Sequence, residues 1–372
     1  MPQEINITDV DIEHAEKLLL PSGKMFDEER RIFIRDLSTL DLQAVPGSGK
    51  TTALLAKLVI LERYMPLKNG KGILVLSHTN TAVDEIKERI GKHCPKLFAY
   101  PNFVGTIQSF VDLFLAIPFY TNKFKNKPLR IDSEIYNEKI SQILNNPWPY
   151  RFGLSKDDLK KILHLKNVDE SVFYNYRFEF SENEIFLIKT LNNDKLEIKK
   201  PKRGRNYQDY SAEEKLRMYD WFKNLKIHIL KSKGILHYDD AYFLAKFSVL
   251  TNPILIRLLQ KRFKFVFVDE MQDMDIHQYN LIEAVFHPNE STQSIIQRIG
   301  DKNQAIYNGG SIHLDNIWSS RNNMLYINGS HRLSQRIATL VQNLALTPNP
   351  IEGRNLNSDG SAIDIKPTLF LY

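Results

Sequence analysis

The stretch Ala44-Val45-Pro46-Gly47-Ser48-Gly49-Lys50-Thr51 decides the fold class of this chain. Gly47 and Gly49 lack a Cβ, so the backbone can turn sharply and point its N–H groups inward at phosphate oxygens. Lys50 then opens a helix, and the positive end of the helix dipole also favours an anion. Its ammonium is placed to reach the β- and γ-phosphates of a nucleoside triphosphate, and the Thr51 hydroxyl to ligand Mg²⁺. The flanks supply the context such a loop needs. Residues 40–45 form a short apolar run that reads as a strand, and residues 52–61 read as a helix. One position departs from the pattern G-x-x-x-x-G-K-[ST]: its first Gly is here Ala44. The predicted nucleotide-binding set is Ala44, Gly47, Ser48, Gly49, Lys50, Thr51 and Thr52.

A second signature lies in the other half of the chain: Phe265-Val-Phe-Val-Asp269-Glu270-Met-Gln-Asp273. Residues 264–268 are apolar and β-rich, as a strand buried on both faces should be. The acids follow at its carboxyl end, where α/β sheets place their ligands. Asp269 suits Mg²⁺, directly or through water. Glu270 suits the task of positioning and deprotonating a water. Acids also favour helix N-termini for purely structural reasons. The phosphate loop in the same chain favours the catalytic reading, that of a site that hydrolyses ATP.

With both signatures in hand, the chain resembles a superfamily 1 DNA helicase of the UvrD/Rep type. Asp269-Glu-Met-Gln-Asp273 is similar to that family's D-E-x-Q-D motif II. Ile73-Leu-Val-Leu-Ser-His-Thr-Asn-Thr-Ala-Val-Asp-Glu-Ile86 resembles motif Ia, a strand, loop and helix touching the DNA strand, which points to His78, Thr79 and Asn80. Val104-Gly-Thr-Ile-Gln-Ser-Phe110 resembles motif Ib, with Thr106 and Ser109 in DNA-facing places. Gly300-Asp-Lys-Asn-Gln-Ala-Ile-Tyr307 resembles motif III, where Gln304 would sense the γ-phosphate. Asn328-Gly-Ser-His-Arg-Leu-Ser334 resembles motif IV. There Arg332 would contact the γ-phosphate, and His331 stands where the family usually has a Tyr against adenine. Gly234-Ile-Leu-His-Tyr-Asp-Asp-Ala241 is similar to a family segment upstream of motif II.

The resemblance spans residues 40–340. It implies an α/β, RecA-like P-loop fold with a parallel sheet flanked by helices, plus a mostly helical insertion subdomain. It implies ATP and Mg²⁺ as cofactors, single-stranded or tailed duplex DNA as partner, and 3′-to-5′ movement driven by hydrolysis. The implied catalytic set is Lys50, Asp269, Glu270, Gln304 and Arg332. Departures accompany it. The family's adenine-reading glutamine ahead of the phosphate loop has no clear counterpart, and Asp27-Glu-Glu-Arg-Arg31 stands in that region. Motif III normally ends with a base-stacking aromatic and an Arg, whereas this chain has Tyr307-Asn-Gly-Gly-Ser311. Stacking is worth ~1–3 kcal/mol per base, so this change weakens the expected grip on a strand. The family's motifs V and VI are expected beyond Tyr372.

Composition agrees with a nucleic-acid partner. The net charge is +6, and six cations crowd residues 195–205 against the single acid Glu197. Lys199, Lys200, Lys202 and Arg203, with Tyr207, Tyr210, Tyr219 and Trp221 nearby, suit a nucleic-acid groove. A solvated loop beside a helix with ordinary core aromatics reads equally well. The chain has no apolar run of about 18 residues, so no membrane span is expected. Its first residues, with five acids before Leu18, are unlike a signal peptide. A single Cys94 excludes an internal disulfide framework and suits a reducing cytoplasm. His237 before Asp239-Asp240 has no partner cluster at metal-ligand spacing and reads as a polar strand-to-helix junction.

The 372 residues suffice for two domains. Residues 1–110 read as an N-terminal segment, with a short helix at 12–20, and the first part of motor domain 1A. Residues 111–235 lose the strand–helix rhythm and read as a helical, basic 1B-like insertion, with helices at 133–144 and 212–230. Residues 236–320 return to the sheet. Residues 321–372 read as the opening of a second motor domain 2A, with a helix at 337–344 and a strand at 368–372. Two functions compete: an ATP-driven DNA motor, and an ATP-dependent nucleic-acid sensor or regulatory subunit, such as a nuclease partner, without processive unwinding. The motif III departure and the incomplete second domain favour the sensor; intact Lys50, Asp269 and Glu270 favour an active ATPase in either case. A nucleotide kinase would need a substrate lid, and no motif supports one.

Overall fold

The computed structural model describes residues 5–181, 184–190, 194–200, 208–287, 294–304, 318–345, 349–357 and 360–363. Lys202, Arg203, Arg205 and Tyr207 of the basic segment, residues 307–311 of motif III and the strand expected at 368–372 lie outside the described residues.

Six strands make one sheet: β1 (Leu40–Ala44), β2 (Gly72–Ser77), β3 (Phe103–Thr106), β4 (Phe263–Val268), β5 (Ile295–Gly300) and β6 (Met324–Ile327). Their order across the sheet is β6-β1-β5-β4-β2-β3, and every neighbouring pair is parallel. Parallel strands need crossover helices, which cover both faces, so β1 and β2 are buried at every position. The helix Lys50–Arg63 follows β1 through the phosphate loop and is buried from Ala53 to Glu62. The helices Asp9–Leu19 and Glu28–Arg35 pack against it. The main core joins Leu40 and Leu42 of β1, Ile73 and Val75 of β2, and Phe265 and Phe267 of β4 with that helix. This is the α/β architecture expected from the two signatures.

The sheet carries one feature that an apolar reading of residues 40–45 does not foresee. Asp41 and Gln43 of β1 are buried. Asp41 faces Arg298 of β5 in the parallel register. The guanidinium donates from Nε at 2.7 Å and from Nη2 at 2.5 Å to the two carboxylate oxygens. Arg298 and Arg321 both also reach Glu283. A buried polar group survives only when it is paired, and here the pairing ties β1 to β5 and to the helix Ile276–Phe286.

By packing, the chain forms two compact units, residues 1–109 with 253–372, and residues 110–252. The second unit is mostly helical, with Ser133–Asn145, Lys156–Val168, Ala212–His228 and Tyr238–Thr251. It also holds an antiparallel hairpin, Tyr176–Ser181 with Glu184–Lys189. Its core gathers Phe173, Tyr176, Phe178, Trp221 and Phe222. The Tyr219 hydroxyl oxygen accepts from the Leu187 N–H at 2.6 Å, and the Trp221 indole N–H donates to the Tyr150 carbonyl, so these aromatics serve the core. Residues 238–252 pack in this unit because Ala241 and Leu244 meet Ala116, Tyr120, Leu230 and Leu236. His237 caps the helix Tyr238–Thr251 after the short strand Ile235–Leu236.

Candidate active site

Everything in the first signature sits where β1 ends and the helix Lys50–Arg63 begins. Ala44 closes the strand, and Gly47 and Gly49 take φ of 71° and 74°, a region that strains any L side chain. A Cβ on Gly47 would also collide with the Cβ of Arg332. Gly49 is the N-cap of the helix, so the first helical N–H groups open toward the loop. The Ser48 hydroxyl is buried without a protein partner, which suits an anionic ligand. Thr51 and Thr52 follow in the first turn, half-buried, and the Thr52 hydroxyl accepts from Arg89 at 3.0 Å.

The acids arrive on the neighbouring strand ends. β4 delivers Asp269, whose N–H donates to the Leu76 carbonyl at 2.8 Å. Glu270 follows in the left-handed region, at φ 54°. A non-glycine residue held there marks a strained and often functional position. Lys50 Nζ meets Glu270 Oε1 at 3.2 Å, so the phosphate clamp and the candidate base share one place. Gln272 Nε2 donates to Glu270 Oε2 at 2.6 Å and fixes the carboxylate. Burial, with Glu270 alongside and only partly offset by Lys50, lifts the Asp269 carboxyl to about 7. Asp273 and Asp301 are raised too, chiefly by burial, with Glu270 adding to both. Asp301 accepts from Gln43 at 3.0 Å through Oδ1, while its Oδ2 is buried without a protein partner. Among the described residues no group of three or more His, Cys, Asp or Glu gathers as a metal cluster. The buried Asp269 carboxyl and the Thr51 hydroxyl at the helix start are nonetheless oxygen donors of the type a hard divalent cation such as Mg²⁺ takes, with phosphate and water completing its shell.

The motif IV segment lies against the phosphate loop. The Ser330 hydroxyl donates to the Pro46 carbonyl at 2.6 Å, and the His331 N–H donates to the Gly47 carbonyl at 3.0 Å. His331 and Arg332 themselves are exposed. The His331 ring is nonetheless partly shielded from water, and that desolvation, with the nearby Arg30, holds its imidazole below its ordinary pKa, which favours a neutral ring. Gln304 ends the short helix Lys302–Gln304 after β5, half-buried.

Sequence reasoning assigned no role to Arg30, in the segment noted only as a departure. Its guanidinium is almost wholly buried. It donates to the Ser48 carbonyl of the phosphate loop at 2.8 Å, to the Gly329 carbonyl at 2.9 Å, and to Asp27. The charged run Asp27-Glu-Glu-Arg-Arg31 was the available signal, but its partners are 18 and 299 residues away.

The candidate nucleic-acid residues divide. His78, Thr79 and Asn80 follow β2 at the same carboxyl edge of the sheet, and Thr79 caps the helix Asn80–Ile90. Thr106 ends β3, and its hydroxyl pairs with that of Ser109 at 2.8 Å. Lys199 and Lys200 belong to the other unit. Lys199 is exposed and paired with Glu197 at 2.8 Å, and the Lys200 N–H donates to Asp209 at 2.9 Å.

A parallel sheet of this order, a glycine-rich loop opening a helix after β1, and paired acids after β4 define a RecA-like P-loop nucleotide-binding domain. The family model of the UvrD/REP helicase N-terminal domain matches residues 27–322, and the chain belongs to that family. It is similar to the ATP-dependent DNA helicase Rep of Buchnera aphidicola, 24% identical over 264 residues, covering 70% of this chain and 34% of the relative. A probable DNA helicase of Mycoplasma pneumoniae is 27% identical over 276 residues, covering 70% of this chain and 43% of the relative. DNA helicase II of Haemophilus influenzae is 22% identical over 345 residues, covering 91% and 42%. The chain therefore spans well under half the length of these curated relatives. Among the described residues no single helix is long and apolar enough to cross a membrane.

Proposed function

We propose that this chain hydrolyses ATP at the phosphate loop and couples hydrolysis to 3′-to-5′ movement on single-stranded DNA. The observation that carries the reading is the Lys50–Glu270 contact of 3.2 Å, which brings clamp and base to one point at the sheet's carboxyl edge. Lys50 exchanges the carboxylate for β- and γ-phosphate oxygens when nucleotide enters. Released from that contact, Glu270 takes a proton from the attacking water at Oε1, with Gln272 holding Oε2. Thr51 and Asp269 would hold Mg²⁺, which supplies charge neutralisation at the phosphates when bound. Gln304 and Arg332 would face the γ-phosphate, and His331 the base.

His78, Thr79, Asn80, Thr106 and Ser109 would take the DNA strand, on the same edge as the phosphate loop. Residues 1–110 and 236–320 are proposed as motor domain 1A, 111–235 as the insertion, and 321–372 as the opening of domain 2A, with 238–252 packed on the insertion. Direction is tested by displacement of streptavidin from single strands biotinylated at one end. ATP-dependent release from 5′ ends, and not from 3′ ends, is the expected result. Release from 3′ ends overturns the direction, and release from neither, with ATP consumed, favours the sensor.

A further inference from the structure

The helix Glu28–Arg35 grips both sides of the nucleotide site. Arg30 bridges the Ser48 carbonyl on the phosphate loop and the Gly329 carbonyl on the segment that leads to Arg332, at 2.8 and 2.9 Å. Glu29, one residue earlier, accepts from the Asn328 and Gly329 N–H groups at 3.1 and 3.2 Å through a single oxygen, Oε2. Arg354 pairs with Asp27 and reaches Glu29 at 3.7 Å, so the acids of this helix are themselves held. Two adjacent side chains thus fix three successive peptide groups just before His331 and Arg332. A guanidinium is a rigid fork of donors, suited to holding two carbonyls apart at a set spacing.

We propose that Glu29 and Arg30 are positioning residues that set Arg332 over the phosphate loop, acting through the 328–330 backbone. The two differ in what they touch. Glu29 holds only the Arg332 side, whereas Arg30 also holds the loop that carries Lys50. Loss of Glu29 therefore acts on turnover, and loss of Arg30 acts on turnover and on nucleotide binding together. This inference rests on the proposed ATPase reading.

The experiment is steady-state ATP hydrolysis by the full chain and by Glu29→Ala, Glu29→Gln, Arg30→Ala and Arg30→Lys, beside Lys50→Ala and with nucleotide binding measured by a fluorescent ATP analogue. Small misplacements of a catalytic group cost up to about a hundredfold in rate. Glu29→Ala should lose about tenfold or more in kcat with KM little changed. Glu29→Gln keeps the accepting oxygen and should stay near the parent. Arg30→Ala should lower kcat and raise KM, and Arg30→Lys, lacking the fork, should restore only part. Glu29→Ala is half-exposed and keeps the test alive should Arg30→Ala fail to fold. Unchanged kcat in folded Glu29→Ala and Arg30→Lys would overturn the inference. A parent chain with no hydrolysis above Lys50→Ala would instead overturn the ATPase reading itself.

Discussion

Glu270 adopts a backbone conformation that costs energy for a side chain of its kind, at φ 54°. That strain aims its carboxylate at Lys50, and both residues yield direct tests. Lys50→Ala should abolish ATP turnover, because the β- and γ-phosphates lose their cation. Glu270→Gln should still bind Mg·ATP yet hydrolyse it ~10²–10⁴-fold more slowly, the usual worth of a general base. Binding measured beside hydrolysis separates them, and undiminished hydrolysis in Glu270→Gln removes Glu270 from the role. Asp269 adds a pH signature. Its folded-state pKa is raised to about 7, so the folded chain holds a proton that the unfolded chain releases near pH 4. The associated stability is complete below about pH 4 and is lost as pH rises through about 7. Without nucleotide, Asp269→Asn should therefore gain thermal stability over the parent at pH 8 and little at pH 4. A gap that does not widen with pH contradicts the buried, protonated state. At this scale the candidate catalytic residues were legible because each signature is contiguous. Arg30 was not, because its contacts close only in three dimensions.

Strands and loops tell a similar story at the next scale. Residues 40–45 read correctly as a strand, but period and hydropathy are blind to which buried position carries a charge. Asp41 is tolerated through Arg298, and removing one partner strands the other in a dry interior. Asp41→Asn should destabilise the chain by ~3–5 kcal/mol, read as a fall in the urea midpoint. A change below about 1 kcal/mol would mean that Glu283 and the Ser319 carbonyl suffice for Arg298. The hairpin at 176–189 was hidden for a different reason. Its first strand alternates, with Phe178 and Phe180 on one face and Arg177 and Glu179 on the other, but its second runs Ile185-Phe-Leu-Ile188 without alternation, within a segment judged by its helical neighbours. The basic segment keeps its two readings apart by salt. Neutralising Lys199, Lys200, Lys202 and Arg203 together should weaken DNA binding and lower the slope of log K against log salt by ~0.7 per lost phosphate contact. An unchanged slope makes the segment a solvated loop, a role that the Lys199–Glu197 pair already serves.

The whole molecule divides labour between its two compact units. The sheet-bearing unit holds the phosphate loop, the acids, the motif IV segment and the motif Ia and Ib residues, all at strand ends that point one way. This convergence was readable in advance, since a parallel α/β sheet gathers its loops at one edge. What sequence could not convey is how the segment at 324–332 returns to β1 after some 280 residues, with Ile327 paired to Ala44 and His331 bonded to Gly47. Such closure is set by packing rather than by any local pattern. On the proposed reading, ATP hydrolysis at this site answers to DNA. Its most direct test is the steady-state rate of ATP hydrolysis with and without single-stranded DNA, in the parent chain and in Lys50→Ala. Hydrolysis should rise with DNA and vanish in Lys50→Ala; hydrolysis indifferent to DNA, or retained in Lys50→Ala, would rule out a DNA-coupled ATPase at this site.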